Sequence, residues 1–201
     1  FKRIWNYKAN GDFEGAPALT NLNEDAILDV IAATESGELL ALDGKDGSVL
    51  WTFNPVVNPV QNLPKERSFM TSPSLIDVNK DGFRDILIGN RNGNFYALNG
   101  KTGKLIWKHQ SIAPSGFLGS SFATRSHVYV VESYGYLHKF STRGRSLQRF
   151  ELNPDNRPHT VSMPSVSPAE SMLIGSTFSE SDAGFWTLVQ HQPAKFQKEG
   201  K

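Results

Sequence analysis

The sequence predicts an all-β fold, a β-propeller of four-stranded antiparallel blades with four blades recognisable. Three observations lead there. The segment Pro17 to Phe53 (PALTNLNEDAILDVIAATESGELLALDGKDGSVLWTF) aligns without a gap on Pro73 to His109 (PSLIDVNKDGFRDILIGNRNGNFYALNGKTGKLIWKH). The offset is ~56 residues, a spacing expected of propeller blades. Each copy divides into short apolar runs separated by Asp/Asn/Gly turns, and no stretch carries a helical period long enough to make a helix.

In the second copy, Ser74 to Val78 is the first strand and leads into an Asx-rich turn. Asp85-Ile86-Leu87-Ile88 is a continuous apolar run, as expected of a strand buried on both faces. Arg91-Asn92-Gly93-Asn94 is a hairpin signal, and Asn-Gly points to the positive-φ pair of a type I′ turn. Phe95 to Leu98 is the third strand, Asn99 to Gly103 a second turn, and Lys104 to Trp107 the fourth strand. Four antiparallel strands per repeat describe one blade. The first copy follows the same plan, with Trp51 at the place of Trp107 and Gly44 and Gly47 at the places of Gly100 and Gly103.

Two degenerate copies follow. His127 to Val131, Gly135 to Phe140 and Ser146 to Phe150 keep the last three strands but lack the acidic turn. Pro164 to Ser167 restarts the pattern, Met172 to Ser176 and Gly184 to Val189 supply a second and a third strand, and Gln197 to Lys201 reads as a polar tail. At the other end, Ile4-Trp5-Asn6-Tyr7 matches the closing strands that end at Trp51 and Trp107. The blades therefore span about 17–53, 73–109, 118–151 and 160–190 in a single propeller domain, the last completed by residues 1–8. Such an N-terminal strand would remove two exposed sheet edges. Three architectures fit: a closed four-bladed ring, two chains sharing a larger ring, or part of a longer propeller.

Composition narrows the function classes only broadly. The chain has 201 residues, a formal net charge of +1, 38% hydrophobic and 20% charged residues, so no long-range field favours nucleic acid or an anionic membrane. No run approaches the ~20 apolar residues of a transmembrane helix, and Phe1 to Trp5 do not read as a signal peptide. Cysteine is absent, which excludes disulfides and thiolate zinc sites.

Gly93 to Trp107 and Gly37 to Trp51 resemble the PQQ-like, quinoprotein-type propeller repeat. Asp77 to Asp85 resembles the calcium loop of FG-GAP repeats, found in integrin α-subunit propellers and many bacterial surface proteins. Both resemblances imply a propeller and place the chain in the periplasm or at the cell surface. Neither implies an activity, because propellers host many.

In Asp77-x-Asn79-x-Asp81-Gly82-Phe83-x-Asp85, four side chains and the Phe83 carbonyl can converge on one Ca2+, which takes oxygen ligands in irregular geometry. The loop fits an EF-hand poorly, since its twelfth position is Ile88 where a bidentate Glu is needed, and strands rather than helices flank it. The competing reading is an Asx turn, in which Asp and Asn bind their own backbone. The equivalent Asn21, Asn23, Asp25, Ile27 and Asp29 form a weaker second loop, with fewer carboxylates and Ala26 in place of glycine. The metal would be structural.

No nucleophile elbow, P-loop or dinucleotide fingerprint is present. His109, His127, His138, His159 and His191 form no short-spaced pair, although a zinc site across blades stays open. His138, Lys139, Arg143, Arg145 and Arg149 read as a solvated basic edge of the third blade. Trp51 and Trp107 read as blade-end core residues, and Asn54 to Pro64, with Val56, Val57 and Val60, as a long loop suited to partner contact. The expectation is a non-enzymatic binding or scaffolding module, meeting a protein or glycan on its rim and able to pair with a second copy or belong to a longer chain. The alternatives are part of a propeller enzyme (a quinoprotein dehydrogenase or a polysaccharide lyase) and a carbohydrate-binding adhesion module.

Overall fold

A computed structural model describes residues 2–55, 67–112 and 116–152, and the backbone of four further strand segments at 159–161, 165–166, 172–178 and 184–189. The long loop expected to contact a partner, with Val56, Val57 and Val60, lies outside the described residues, as do His191 and the polar tail.

Blade 1 comprises β1 (Ala18–Thr20), β2 (Asp29–Ala33), β3 (Leu39–Leu42) and β4 (Val49–Phe53), paired antiparallel in that order. Blade 2 repeats the arrangement with β5 (Ser74–Ile76), β6 (Asp85–Gly89), β7 (Asn94–Leu98) and β8 (Leu105–Gln110). Blade 3 has β9 (Phe122–Ala123), β10 (His127–Glu132), β11 (Tyr136–Ser141) and β12 (Ser146–Glu151). In the fourth sheet, β15 (Met172–Phe178) pairs on one side with β13 (His159–Val161) and β14 (Ser165–Val166), and on the other with β16 (Gly184–Val189). The chain is an all-β propeller of four-stranded antiparallel blades. No helix among the described residues is long and apolar enough to cross a membrane.

The unbroken apolar runs follow from stacking. Every residue of β6 and β7 is buried because each strand faces two blades. Ile86, Ile88 and Tyr96 pack with Ile31, Leu39 and Ala41 of blade 1. Leu87, Phe95 and Ala97 point the other way, onto Val128, Val130 and Phe140 of blade 3. Alternation with period two is present, but both faces are core.

A repeated tryptophan contact joins the blades. The Trp51 indole Nε1 donates to the Gly100 carbonyl at 2.8 Å, and its ring lies on Gly103 in the β7–β8 turn of the next blade. Trp107 does the same to Thr142, at 2.9 Å, and Gly144. Both glycines have positive φ, +66 and +79. Trp51 and Trp107 are blade-end packing residues, and each one reaches into the neighbouring blade.

The β6–β7 connection corrects the expected type I′ turn. Only Gly93 has positive φ, at 70, whereas I′ needs two such residues. The Asn90 Oδ1 accepts the Asn94 amide at 2.9 Å and sets a longer loop instead. A second correction concerns blade 3. His138 and Lys139 are buried on β11, sandwiched like β7, and only Arg143, Arg145 and Arg149 are exposed.

Candidate functional site

The Asp77–Asp85 loop is a network of carboxylates and backbone amides. Asp77 Oδ1 accepts Lys80 N at 2.6 Å and Asp81 N at 3.1 Å, and its Oδ2 accepts Gly82 N at 3.0 Å. Asn79 Oδ1 accepts Asp81 N, and Asp81 Oδ1 accepts Phe83 N. Asp81 Oδ2 receives the side-chain amides of Asn79 and Asn99. These donors, the Phe83 amide first, hold the Asp81 carboxyl below the usual carboxylate range.

Asp85 does something different. It is fully buried, and its Oδ2 accepts Val78 N at 2.9 Å and Asn79 N at 3.3 Å, while Oδ1 accepts Gly100 N at 3.2 Å. One carboxylate thus ties the β5–β6 turn to the β7–β8 turn. Burial pushes its pKa up, against the pull of those amides. Asp29 repeats the arrangement in blade 1, accepting Leu22 N at 2.6 Å and Gly44 N at 3.0 Å.

The weaker loop carries the same kind of side-chain-to-backbone hydrogen bonds. Asn21 Oδ1 accepts Glu24 N, Asn23 Oδ1 accepts Asp25 N, and Asp25 Oδ1 accepts Ile27 N. Ala26 sits at φ 67, where blade 2 has Gly82 at φ 91. A left-handed alanine costs about 1–2 kcal/mol, so Ala26→Gly is expected to stabilise the chain by up to that amount in urea unfolding. No gain would mean that the turn relaxes without strain.

Charge and a concave surface coincide beside this loop. A groove of about 800 Å³ runs between blades 2 and 3. Its apolar floor is Leu75, Ile76 and Ala123, from the first strands β5 and β9, which approach each other there. Ser74 Oγ donates to the Ser121 carbonyl at 2.6 Å and pins the two blades at this point. Lys80, Arg84 and Arg125 line the groove with Asp77, and all three cations are exposed. Among the described residues none of the three forms an ion pair, while the Asp77 carboxylate is already taken by three amides. With three cations against one carboxylate, the groove presents a net positive lining over an apolar base. The sequence reading missed it, because its residues come from turns of two blades. The spacing Lys80, Arg84 around the acidic loop was the only available signal.

A second cluster is sealed inside. Glu132 Oε2 lies 2.7 Å from His138 Nε2, and Ser111 Oγ donates to Glu132 Oε1 at 2.7 Å. The ring of His109, remote in sequence, lies tilted at 5.4 Å from the His138 ring, beside Phe117 and Phe140. The fold thus pairs two histidines that their spacing had kept apart. Among the described residues no group of three or more His, Asp or Glu is arranged to hold a metal. Burial, then the neighbouring His138, with Arg149 adding a smaller push, lowers the His109 pKa, and Glu132 opposes them. The unfolded chain then binds more protons than the folded one once pH falls below the ordinary histidine value of about 6.5. Stability should be full above that pH and decline as pH falls through it. His109→Phe should flatten this decline between pH 7.5 and 5.5 in urea titrations; an unchanged slope would contradict it.

The family model described as outer membrane protein assembly factor BamB matches residues 2–116. The chain belongs to the BamB family. Its structure is similar to that of BamB from Moraxella catarrhalis, with a TM-score of 0.63 and 15% identity over 91% of this chain and 52% of that one. The chain thus spans about half the length of that BamB. It also resembles the computationally designed Ika4 protein, with a TM-score of 0.65, 12% identity, and 94% and 98% of the two chains covered. A third likeness is to quinohemoprotein alcohol dehydrogenase ADHIIG of Pseudomonas putida HK5, with a TM-score of 0.65 and 15% identity over 86% of this chain and 30% of that one. At these identities the structural likenesses show the propeller fold. No curated protein sequence gives a significant match.

Proposed function

We propose that this BamB-family chain is a non-enzymatic, protein-binding propeller that serves outer membrane protein assembly from the periplasmic side. The groove between blades 2 and 3 carries this reading. Lys80, Arg84 and Arg125 stand over Leu75, Ile76 and Ala123 and outnumber Asp77, the carboxylate that lines the groove with them. That combination suits an extended segment bearing Asp or Glu beside an apolar anchor. Opposite charge across the contact speeds encounter and fixes register. The sealed Ser111–Glu132–His138 cluster gives no surface on which a substrate could react, since all three side chains are buried.

The test is complementation in host cells lacking their own copy. Arg84→Glu with Arg125→Glu should leave the melting temperature unchanged, since both side chains are exposed, and should reduce outer membrane protein levels several-fold. Full complementation by this variant would overturn the proposal.

We also propose a structural Ca2+ at Asp77, Asn79, Asp81 and the Phe83 carbonyl. Its support is the clustering of Asp77 and Asp81 on one turn with Gly82 at φ 91. As the loop stands, N–H donors face those carboxylates, so binding requires the side chains to exchange amides for the ion. Asp85 fits a cation poorly, because both its oxygens hold backbone amides. Calorimetric titration with calcium, with melts in EDTA, reads this directly. One site whose occupancy raises the melting temperature supports the ion; no heat and no shift leave an Asx turn.

A further inference from the structure

The joints between blades carry an internal comparison. Antiparallel pairing puts Tyr96 opposite Ile88 in blade 2 and His138 opposite Val130 in blade 3. Phe53 pairs with Leu39 and His109 with Phe95, so these two also correspond. Asn90 and Glu132 hold one place, since the carbonyl of each accepts the amide of a positive-φ glycine, Gly93 or Gly135. Phe69 and Phe117 match as well, their amides donating to the Thr34 and Asn90 carbonyls. The two joints therefore follow one plan with different residues. Between blades 1 and 2 the Phe53 and Tyr96 rings lie 5.4 Å apart, with Phe69 beside them. Between blades 2 and 3 the His109 and His138 rings lie 5.4 Å apart, with Phe117 beside them.

Phe53, Tyr96 and Asn90 gain no proton in the range where an imidazole titrates, whereas the second joint holds two imidazoles. Glu132 has no solvent exposure, and its oxygens meet Ser111 Oγ and His138 Nε2, both at 2.7 Å. A buried carboxylate persists only when it is compensated, so Glu132 and His138 are neutral as a pair. A proton on His109 adds a cation that this pair does not balance. The charged groups facing His109 all come from blade 3: Glu132 on β10, His138 on β11, and Arg149 on β12 opposite His138. Lys108 and Lys139, the sequence neighbours of the two histidines, turn away onto Tyr96 and Tyr129.

We propose that the contact between blades 2 and 3 is a proton-operated joint, which opens locally when His109 is protonated, while the contact between blades 1 and 2 stays closed. The open form hydrates His109 and separates it from blade 3, so it binds the proton more readily than the closed form. Acid therefore favours opening as pH falls through about 6.5. The same two blades wall the groove, so this joint is the means by which acidity would reach a partner held there. That consequence rests on the binding role proposed above, whereas the joint itself is tested on the free chain.

Matched amides report the two joints separately. At the first, Phe69 N donates to the Thr34 carbonyl and Arg91 N to the Ser68 carbonyl. At the second, Phe117 N donates to the Asn90 carbonyl and Ser133 N to the Gly116 carbonyl. Hydrogen exchange of these amides, followed by NMR and corrected for the intrinsic pH dependence of exchange, reads each opening. From pH 6.5 to 5.5 the protection of Phe117 and Ser133 should fall about fivefold, within the roughly tenfold that one proton per opening allows. Protection of Phe69 and Arg91 should hold. His109→Phe should abolish the fall. His109→Phe with His138→Tyr and Glu132→Asn, which gives the second joint the side chains of the first, should do the same. No fall at Phe117 and Ser133, equal losses at both joints, or a fall that survives His109→Phe would overturn the proposal.

Discussion

Asp85→Ala is expected to lower folding stability by about 3–5 kcal/mol, because it strands buried amides that cost about 1–3 kcal/mol each when left unpaired. The Val78, Asn79 and Gly100 amides all lose their acceptor, and the two turns of blade 2 lose their shared tie. Against a total of about 5–15 kcal/mol for a domain, that loss brings the chain near unfolding. Asp77→Ala removes an acceptor on the exposed surface, where water replaces it, and should cost about 1 kcal/mol or less. Urea unfolding of both variants, in calcium and in EDTA, separates two roles for the loop. If Asp85 is the pin, its variant is equally unstable in both buffers. If Asp77→Ala is as damaging as Asp85→Ala in calcium and harmless in EDTA, the loop's main work is to hold the ion.

Gly103→Ala tests the contact between blades. A β-carbon there would lie 2.6 Å from the Trp51 ring, on a residue already at φ +66. The backbone term is about 1–2 kcal/mol and the overpacking term about 1–3 kcal/mol, for a loss of about 2–4 kcal/mol. Gly82→Ala is the control, since its φ is +91 but nothing stands within 4 Å of the added carbon. It should cost only the backbone share, about 1–2 kcal/mol. Equal losses at the two positions would show that the tryptophan yields freely, and that the indole contacts do not couple the blades.

The repeat offset carried most of the fold, since matched turns and closing tryptophans define four strands without any knowledge of their neighbours. What failed was local inference about strands with two buried faces. Lys139 looks like a surface charge from its basic neighbours, but β11 lies between blades, and its ammonium sits over the Tyr129 ring. The Asn92-Gly93 pair suggested a tight turn, and the side chain of Asn90, two residues earlier, decided the loop. In the acidic loop, spacing alone does not distinguish a carboxylate that meets a cation from one that meets amides. The internal repeat held a hint: Asp29 and Asp85 keep their charge in both copies, with Gly44 and Gly100 opposite, while Asp77 becomes Asn21. The groove was invisible because Arg125 comes from a blade whose acidic turn has been lost. The histidine pair was hidden likewise, as His109 closes blade 2 and His138 lies inside blade 3.

The most direct test of the binding role is site-specific photo-crosslinking from position 125 in living cells. The groove predicts one dominant protein adduct from that position, reduced by Lys80→Glu with Arg84→Glu and weakened by added salt. Position 147 on the outer strand β12, also exposed, should give no such adduct. No adduct from position 125, or the same adduct from position 147, would contradict the groove as the site where this propeller holds its partner.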